Sequence, residues 1–518
     1  MSWQTVMYAA EAAKNLMLSD RSAGEKKFAT LIRRNSGDGM VYYNLGIAYE
    51  ALGECTLAEH NLKRAFDLFS KTEWKNNARE ALERVKYAIQ QVPAKKDAGE
   101  IKAQKTWNDN RFLGKVKLPV LAVVQSIRIQ NFLSFGTDGL PLEVRPLNVL
   151  IGPNGSGKSN LIEIFGLLQS TGRDLLEPIR SGGGITEWLW KGSSERKRRV
   201  SGANAPTASI EIVVRPVTRP KLLRYKLALS QAGPTLEIID ERIEDETQNS
   251  ERKRPHLYYG YEHGRPVVSA KGRKRILNIE DVNPKQSILS QLKDPDQYPE
   301  ITYLGQTLSK FAFYRDWEFG INSEPRQIHT PDQQSEYLEE DASNLALVLS
   351  RMKNDPATKV RLIQFLKEFY QEAQDINISI KEGLIDLRLE ERSGFTTPAV
   401  RISDGTLRWL SLLAVLLNPT PPPLVCIEEP ELGLHPDIIP TLARLLIEAS
   451  QRMQIIITTH SDALIEELTE TPESVIVCEK QNDATVLRRL QQKELSKWLN
   501  EYSLGQLWRK GEIGGTRW

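Results

Sequence analysis

Residues 147–159 read Leu-Asn-Val-Leu-Ile-Gly-Pro-Asn-Gly-Ser-Gly-Lys-Ser, and this stretch decides the fold. Leu147–Ile151 is a short apolar run that enters a glycine-rich turn as a strand. Beyond the turn, Asn160 to Ser170 carries Leu161, Ile162, Ile164, Phe165, Leu167 and Leu168 at helix spacing. Strand, loop and helix in that order are the context in which this pattern forms a phosphate-binding loop. Glycines let successive backbone N–H groups point into one concavity, and the helix N-terminus adds positive potential there. Gly152, Pro153, Asn154, Gly155, Ser156, Gly157, Lys158, Ser159 and Asn160 are the expected contacts of a nucleoside triphosphate. Lys158 would reach the β- and γ-phosphates, and the Ser159 hydroxyl would ligate Mg²⁺.

A second stretch complements the first. Leu424-Val425-Cys426-Ile427 reads as a buried strand running into Glu428-Glu429-Pro430. Two adjacent acids at the C-terminal end of a buried parallel strand are costly unless a cation or a reaction needs them. Glu428 is expected to support the metal and Glu429 to orient the attacking water. The next buried strand, Ile455-Ile456-Ile457, ends in Thr458-Thr459-His460-Ser461, which places His460 to hydrogen-bond a γ-phosphate. Ser403-Asp404-Gly405-Thr406 opens an apolar helix 25 positions before Glu428 (428 − 403). A helix N-terminus bearing Ser403 and Gly405 is a second anion site. Two phosphate-directed sites in one chain make sense if the second faces the ATP of a neighbouring subunit.

This ordered set resembles the ATP-binding-cassette clade of ATPases, in particular the SMC, RecF and overcoming-lysogenization-defect heads. The residues that carry the resemblance are Asn131-Phe132, Gly152–Ser159, Ser-Asp-Gly-Thr-Leu-Arg at 403–408, Glu-Glu-Pro-Glu-Leu-Gly-Leu-His-Pro at 428–436, and Thr459-His460-Ser461. The resemblance implies an α/β fold, a P-loop head with a mostly parallel sheet plus an antiparallel β lobe. It implies ATP and Mg²⁺ as ligands, ATP hydrolysis, and a head-to-tail homodimer in which each signature faces the other head's phosphate loop. Glu431–Pro436 would cross that dimer interface. The signature departs from the transporter-like Ser-Gly-Gly-Gln, and Glu428 stands where an aspartate is usual. Gln169 lies too close to Lys158 to serve as a glutamine loop.

The insert between Lys158 and Ser403 spans 245 positions (403 − 158) without the sustained heptads of a coiled-coil arm. Only 58 residues follow His460 (518 − 460), with no Asp-x-Asp cluster, so an appended nuclease is not expected. Compact heads with this glutamate-rich run resemble ATPase subunits of prokaryotic anti-phage systems, which implies a separately encoded, nuclease-like effector. A RecF-like clamp on duplex DNA and a non-hydrolysing scaffold are the alternatives.

Three parts are expected: a helical module at 1–92, a Lys-rich linker at 93–118, and the ATPase domain at 119–518 with an insert lobe at about 171–400. Within the first, Tyr42, Leu45, Gly46, Tyr49, Gly53, Ala58, Leu62 and Ala65 follow the small/large spacing of a tetratricopeptide repeat. In the insert, Ala208–Val214, Leu222–Leu229 and Leu236–Arg242 read as an antiparallel meander, followed by helices near 335–353 and 357–373. Net charge is only +2 with 26% charged residues, so nucleic-acid contact must be local. Glu195–Arg199, Arg252–Arg254 and Lys271–Arg275 are the basic runs that could track duplex phosphates. Cys55, Cys426 and Cys478 form no disulfide framework, no apolar run approaches a membrane span, and no secretory signal opens the chain. A cytoplasmic protein is expected.

Overall fold

The computed structural model describes residues 122–515 except 193–206, 217–220, 234, 247–254, 328 and 382. Before residue 83 it describes two helices, Gly39–Ala51 and Cys55–Leu68, and a few further positions. The expected linker and the basic runs at 195–199 and 252–254 lie outside the described residues. The chain divides into two compact units, Met1–Asp109 and Asn110–Trp518.

The second unit is built on a six-stranded sheet. Its order is Ala312–Tyr314, Leu424–Glu428, Gln454–Thr458, Leu147–Ile151, Val475–Gln481 and Ala484–Arg489. The first five strands are mutually parallel, and Ala484–Arg489 closes one edge antiparallel. Leu147–Ile151 and Gln454–Thr458 are buried at every position, as a parallel sheet covered on both faces requires. Their side chains alternate between two cores. Val149, Ile151, Val425, Ile427, Ile455 and Ile457 face one, while Leu150, Leu424, Cys426 and Ile456 face the other. The C-terminal ends of the parallel strands share one edge, so loops far apart in sequence meet there.

The second of these cores holds the helices Lys158–Thr171 and Pro299–Ser309 against an eight-stranded antiparallel sheet. That sheet is the expected meander, extended on one side by Val124–Gln130 and Leu142–Glu143 and on the other by three further strands, Leu257–Glu262, Arg265–Ala270 and Arg273–Ile276. Buried Gln454 stitches the two sheets together. Its amide nitrogen donates to Val124 O at 2.7 Å, and its amide oxygen accepts from Val124 N at 3.0 Å.

The first core is roofed by the helices Leu345–Lys353, Pro356–Phe369, Asp404–Leu416 and Ile439–Ala449, with a three-stranded sheet from Ala373 to Pro398. The helix expected from 335 begins only at Leu345. Asn344 donates to Gln334 O and Tyr337 O and accepts from Glu339 N, and Ala342 adopts φ +57°. These local bonds hold 334–344 in turns that compete with helix. The break before the next helix is as read: Asp355 accepts from Thr358 N at 2.9 Å, and Pro356 sits in the first turn.

In the first unit, the helices Gly39–Ala51 and Cys55–Leu68 pack closely at Gly46. A Cβ there would lie 2.7 Å from Leu62 Cγ, so the small residue sets the helix separation. Ala58, Leu62 and Ala65 are fully buried. Gly53 of the expected repeat lies outside the described residues.

Candidate nucleotide-binding site

The phosphate loop leaves the central strand at Gly152 and enters the helix Lys158–Thr171 at Gly157. These two glycines have φ +148° and +102°, values that favour a residue without Cβ. Space demands the same: a Cβ on Gly152 would lie 2.2 Å from Cys478 O, and one on Gly157 2.2 Å from Thr485 Oγ1. Thr485 Oγ1 donates to Ser156 O at 2.8 Å and lies 2.7 Å from Ser134 Oγ. The edge strand and the turn after Phe132 thus brace the loop from behind.

Lys158 Nζ donates to Gly152 O at 2.8 Å and Pro153 O at 3.1 Å. Burial pushes its pKa below the usual lysine value, while Cys478, Glu429 and Glu428 pull the other way. Ser159 Oγ donates to Glu428 Oε2 at 2.9 Å, so the two expected metal-ligating oxygens already face each other. That hard oxygen pair suits Mg²⁺, which commonly takes one or two protein oxygens and completes its shell with phosphate and water.

Glu428 is in parallel register with Thr458, which puts both acids and the Thr459-His460 turn at one edge. Glu429 has φ +45°, and its N–H donates to Thr458 O at 3.1 Å. A left-handed, non-glycine residue costs on the order of 1 kcal/mol or more and persists where the surroundings enforce it. Here the turn aims the carboxylate at His460, with Oε1 3.7 Å from Nε2. Glu431, in the segment that the resemblance expects at a dimer interface, turns its carboxylate inward. Oε1 accepts from Thr459 Oγ1 at 2.6 Å and His460 N at 3.0 Å, which fixes the histidine turn.

Lys158, Ser159, Asn154, Gly155, Gly157, Asn160, Glu429 and His460 line one cleft of about 240 Å³, together with Ser134, Thr458 and Lys480. It adjoins a wider cavity of about 600 Å³ that shares Ser134, Asn160 and Lys480 and adds Trp190 and Lys191. A larger groove of about 720 Å³ is walled by Asp316, Glu339, Glu340 and Asp341, carboxylates that repel phosphate.

Ser403 and Gly405 do not line the phosphate cleft. Ser403 caps the helix Asp404–Leu416, accepting from Thr406 N at 3.2 Å. Gly405 packs beside the loop after Glu431, where a Cβ would lie 3.2 Å from Gly433 O. Arg326 organises this corner. Its guanidinium donates to the carbonyls of Phe319, Ala399, Val400 and Ile402 and pairs with Asp404. Arg326→Ala is expected to lower stability by about 3 kcal/mol, because three buried carbonyls and one half-buried carbonyl lose their donor. A urea midpoint unchanged from wild type would contradict it.

Several of these residues escaped the sequence reading. Arg326 closes a contact 78 positions away (404 − 326), and nothing local marks it. The strand Ala312–Tyr314, with three residues, is too short to show a period, yet it pairs with Val425–Ile427 and ends at Arg315. Gln169, set aside as a glutamine loop, donates to Phe311 O at 2.6 Å.

The chain matches solved Smc head domains at low identity. The Smc head domain with an extended coiled coil, bound to the C-terminal domain of ScpA and derived from Pyrococcus furiosus, is 14% identical, with 73% of this chain and 99% of that chain covered and a TM-score of 0.40. The SMC head domain from Thermotoga maritima is 12% identical, covering 71% and 99%, with a TM-score of 0.35. No functionally curated protein matches the chain. Residues 147–466 match the family described as "AAA domain, putative AbiEii toxin, Type IV TA system". The phosphate loop, both glutamates, the signature helix and the histidine turn all fall inside that span, and the chain belongs to this AAA family.

Proposed function

We propose that the chain is an ATP-hydrolysing switch whose heads dimerise head-to-tail around two ATP molecules and thereby control a separate effector. The convergence of Lys158, the Ser159–Glu428 pair and the Glu429–His460 pair at one sheet edge carries this reading. Lys158 holds the β- and γ-phosphates by charge, and the loop N–H groups orient them. Ser159 and Glu428 hold Mg²⁺, which neutralises phosphate charge when bound. Glu429 aligns water for in-line attack and accepts its proton, and His460 donates to the γ-phosphate. Hydrolysis removes the γ-phosphate that both heads grip, and the dimer opens.

Dimerisation is supported by the signature lying outside the chain's own phosphate cleft, next to exposed Leu432. Ser403→Arg should therefore leave ATP binding by the monomer intact and abolish ATP-dependent dimerisation. Light scattering that still shows an ATP-dependent dimer would overturn the facing arrangement. The family's toxin–antitoxin description agrees with a role in anti-phage defence; on the proposed reading the partner is nuclease-like and the helical 1–92 module recruits it. Buried free thiols at Cys426 and Cys478 fit a reducing cytoplasm. Among the described residues no helix is long and apolar enough to cross a membrane. Purifying Glu429→Gln from its host with ATP tests the effector: a stoichiometric enzyme supports it, and none contradicts it.

A second reading, a RecF-like clamp on duplex DNA, draws on one observation. The edge strand Arg273–Ile276 is exposed along its whole length and presents Arg273, Lys274 and Arg275. On this reading duplex DNA accelerates ATP turnover, and added salt removes the effect.

A further inference from the structure

The segment Ser503–Gly515 touches the phosphate loop and the helix that follows the histidine turn, although it contributes no residue to the cleft. Ser503 opens the helix Leu504–Arg509 with a capping box to Gln506. Gly505 allows this helix to lie against Asp462–Glu466, the helix directly after His460-Ser461. A Cβ there would sit 2.6 Å from Asp462 O. Arg509 reaches Asp462 at 3.5 Å and Glu466 at 3.9 Å, and Leu504 N donates to Thr469 Oγ1 at 3.0 Å.

The chain then turns back through Gly511, Gly514 and Gly515, at φ +80°, +78° and +63°. Ile513 is buried, and its carbonyl accepts from Arg488 Nη2 at 2.7 Å. Gly515 N donates to Glu479 Oε1 at 2.9 Å, and Gly515 O accepts from the buried Trp508 indole N–H at 3.0 Å. The peptide so fixed lies directly against the phosphate loop. A Cβ on Gly515 would be 3.3 Å from Gly152 Cα and 3.0 Å from Val477 Cγ1. Gly152 is therefore gripped from two sides, by Cys478 O and by Gly515. Its carbonyl is also the oxygen that Lys158 Nζ contacts.

We infer that Ser503–Gly515 is a positioning brace for ATP binding, holding the first glycine of the phosphate loop and the helix after His460 in one rigid arrangement. The inference rests on the phosphate loop being an ATP site. A loop already held in its binding conformation avoids the ordering cost of capturing its ligand. The brace thus acts on nucleotide affinity more than on the chemical step. Glu479 is its exchangeable pin: removing the carboxylate leaves the Gly515 N–H without its acceptor, while glutamine restores an acceptor oxygen.

The test measures ATP affinity, KM and kcat on the full chain for Glu479→Ala, Glu479→Gln and Gly515→Ala, with melting temperatures alongside. Glu479→Ala and Gly515→Ala are expected to raise the ATP Kd and KM about tenfold, with kcat within about twofold of wild type. Glu479→Gln is expected to return both constants to within about twofold of wild type. Unchanged Kd in both disrupting variants overturns the brace, as does a fall in melting temperature with KM unchanged, which is the mark of a purely structural contact. If Glu479→Ala does not fold, Gly515→Ala reads the same contact. Wild-type protein that binds no ATP overturns the site itself and the brace with it.

Discussion

Glu429→Gln is expected to bind ATP with near-wild-type affinity while turnover falls by about a hundredfold or more, the usual contribution of a general base. Glutamine matches glutamate in size, and the backbone places the side chain: Glu429 N is tied to Thr458 O, and the residue sits at φ +45°. Geometry should therefore survive while the proton acceptor is lost. The closed dimer should then accumulate with ATP inside, retained through gel filtration. Phosphate release at the wild-type rate would remove Glu429 from the catalytic role.

Lys158→Ala is expected to weaken ATP binding by about a hundredfold or more, because a partly buried ammonium is the charge partner of two phosphates. Calorimetric titration checks this, and unchanged affinity would refute the assignment. The lysine also sets a pH dependence. Burial lowers its pKa in the free protein, and bound phosphate favours the charged form. ATP affinity should therefore weaken as pH rises through that depressed pKa, at lower pH than for an ordinary exposed lysine.

The parts of this molecule that could be read from sequence are those whose chemistry is local. The phosphate loop needs glycine at 152 and 157 whatever surrounds it, and Leu424–Glu428 is a run of buried residues ending in acids. Ala208–Val214 alternates buried and half-buried positions along its whole length, so its strand could be read to the residue. The helix at 345 was drawn too long because Asn344's competing bonds depend on where Gln334 and Tyr337 end up. Arg326, Glu431 and Gly515 were illegible for a similar reason. Each acts through a carbonyl, an N–H or a carboxylate whose partner is set by the tertiary fold, and an isolated arginine, glutamate or glycine carries no mark of it.

Cys478, whose carbonyl walls the phosphate loop, also has a side chain sealed beneath it. Burial pushes that thiol up to about 12. The thiol form is thus favoured over the thiolate, the form that attacks electrophiles. Oxidants and alkylating reagents therefore reach this position only when the loop and its strand part company. The rate at which this sulfur is modified becomes a direct measure of how often that region opens.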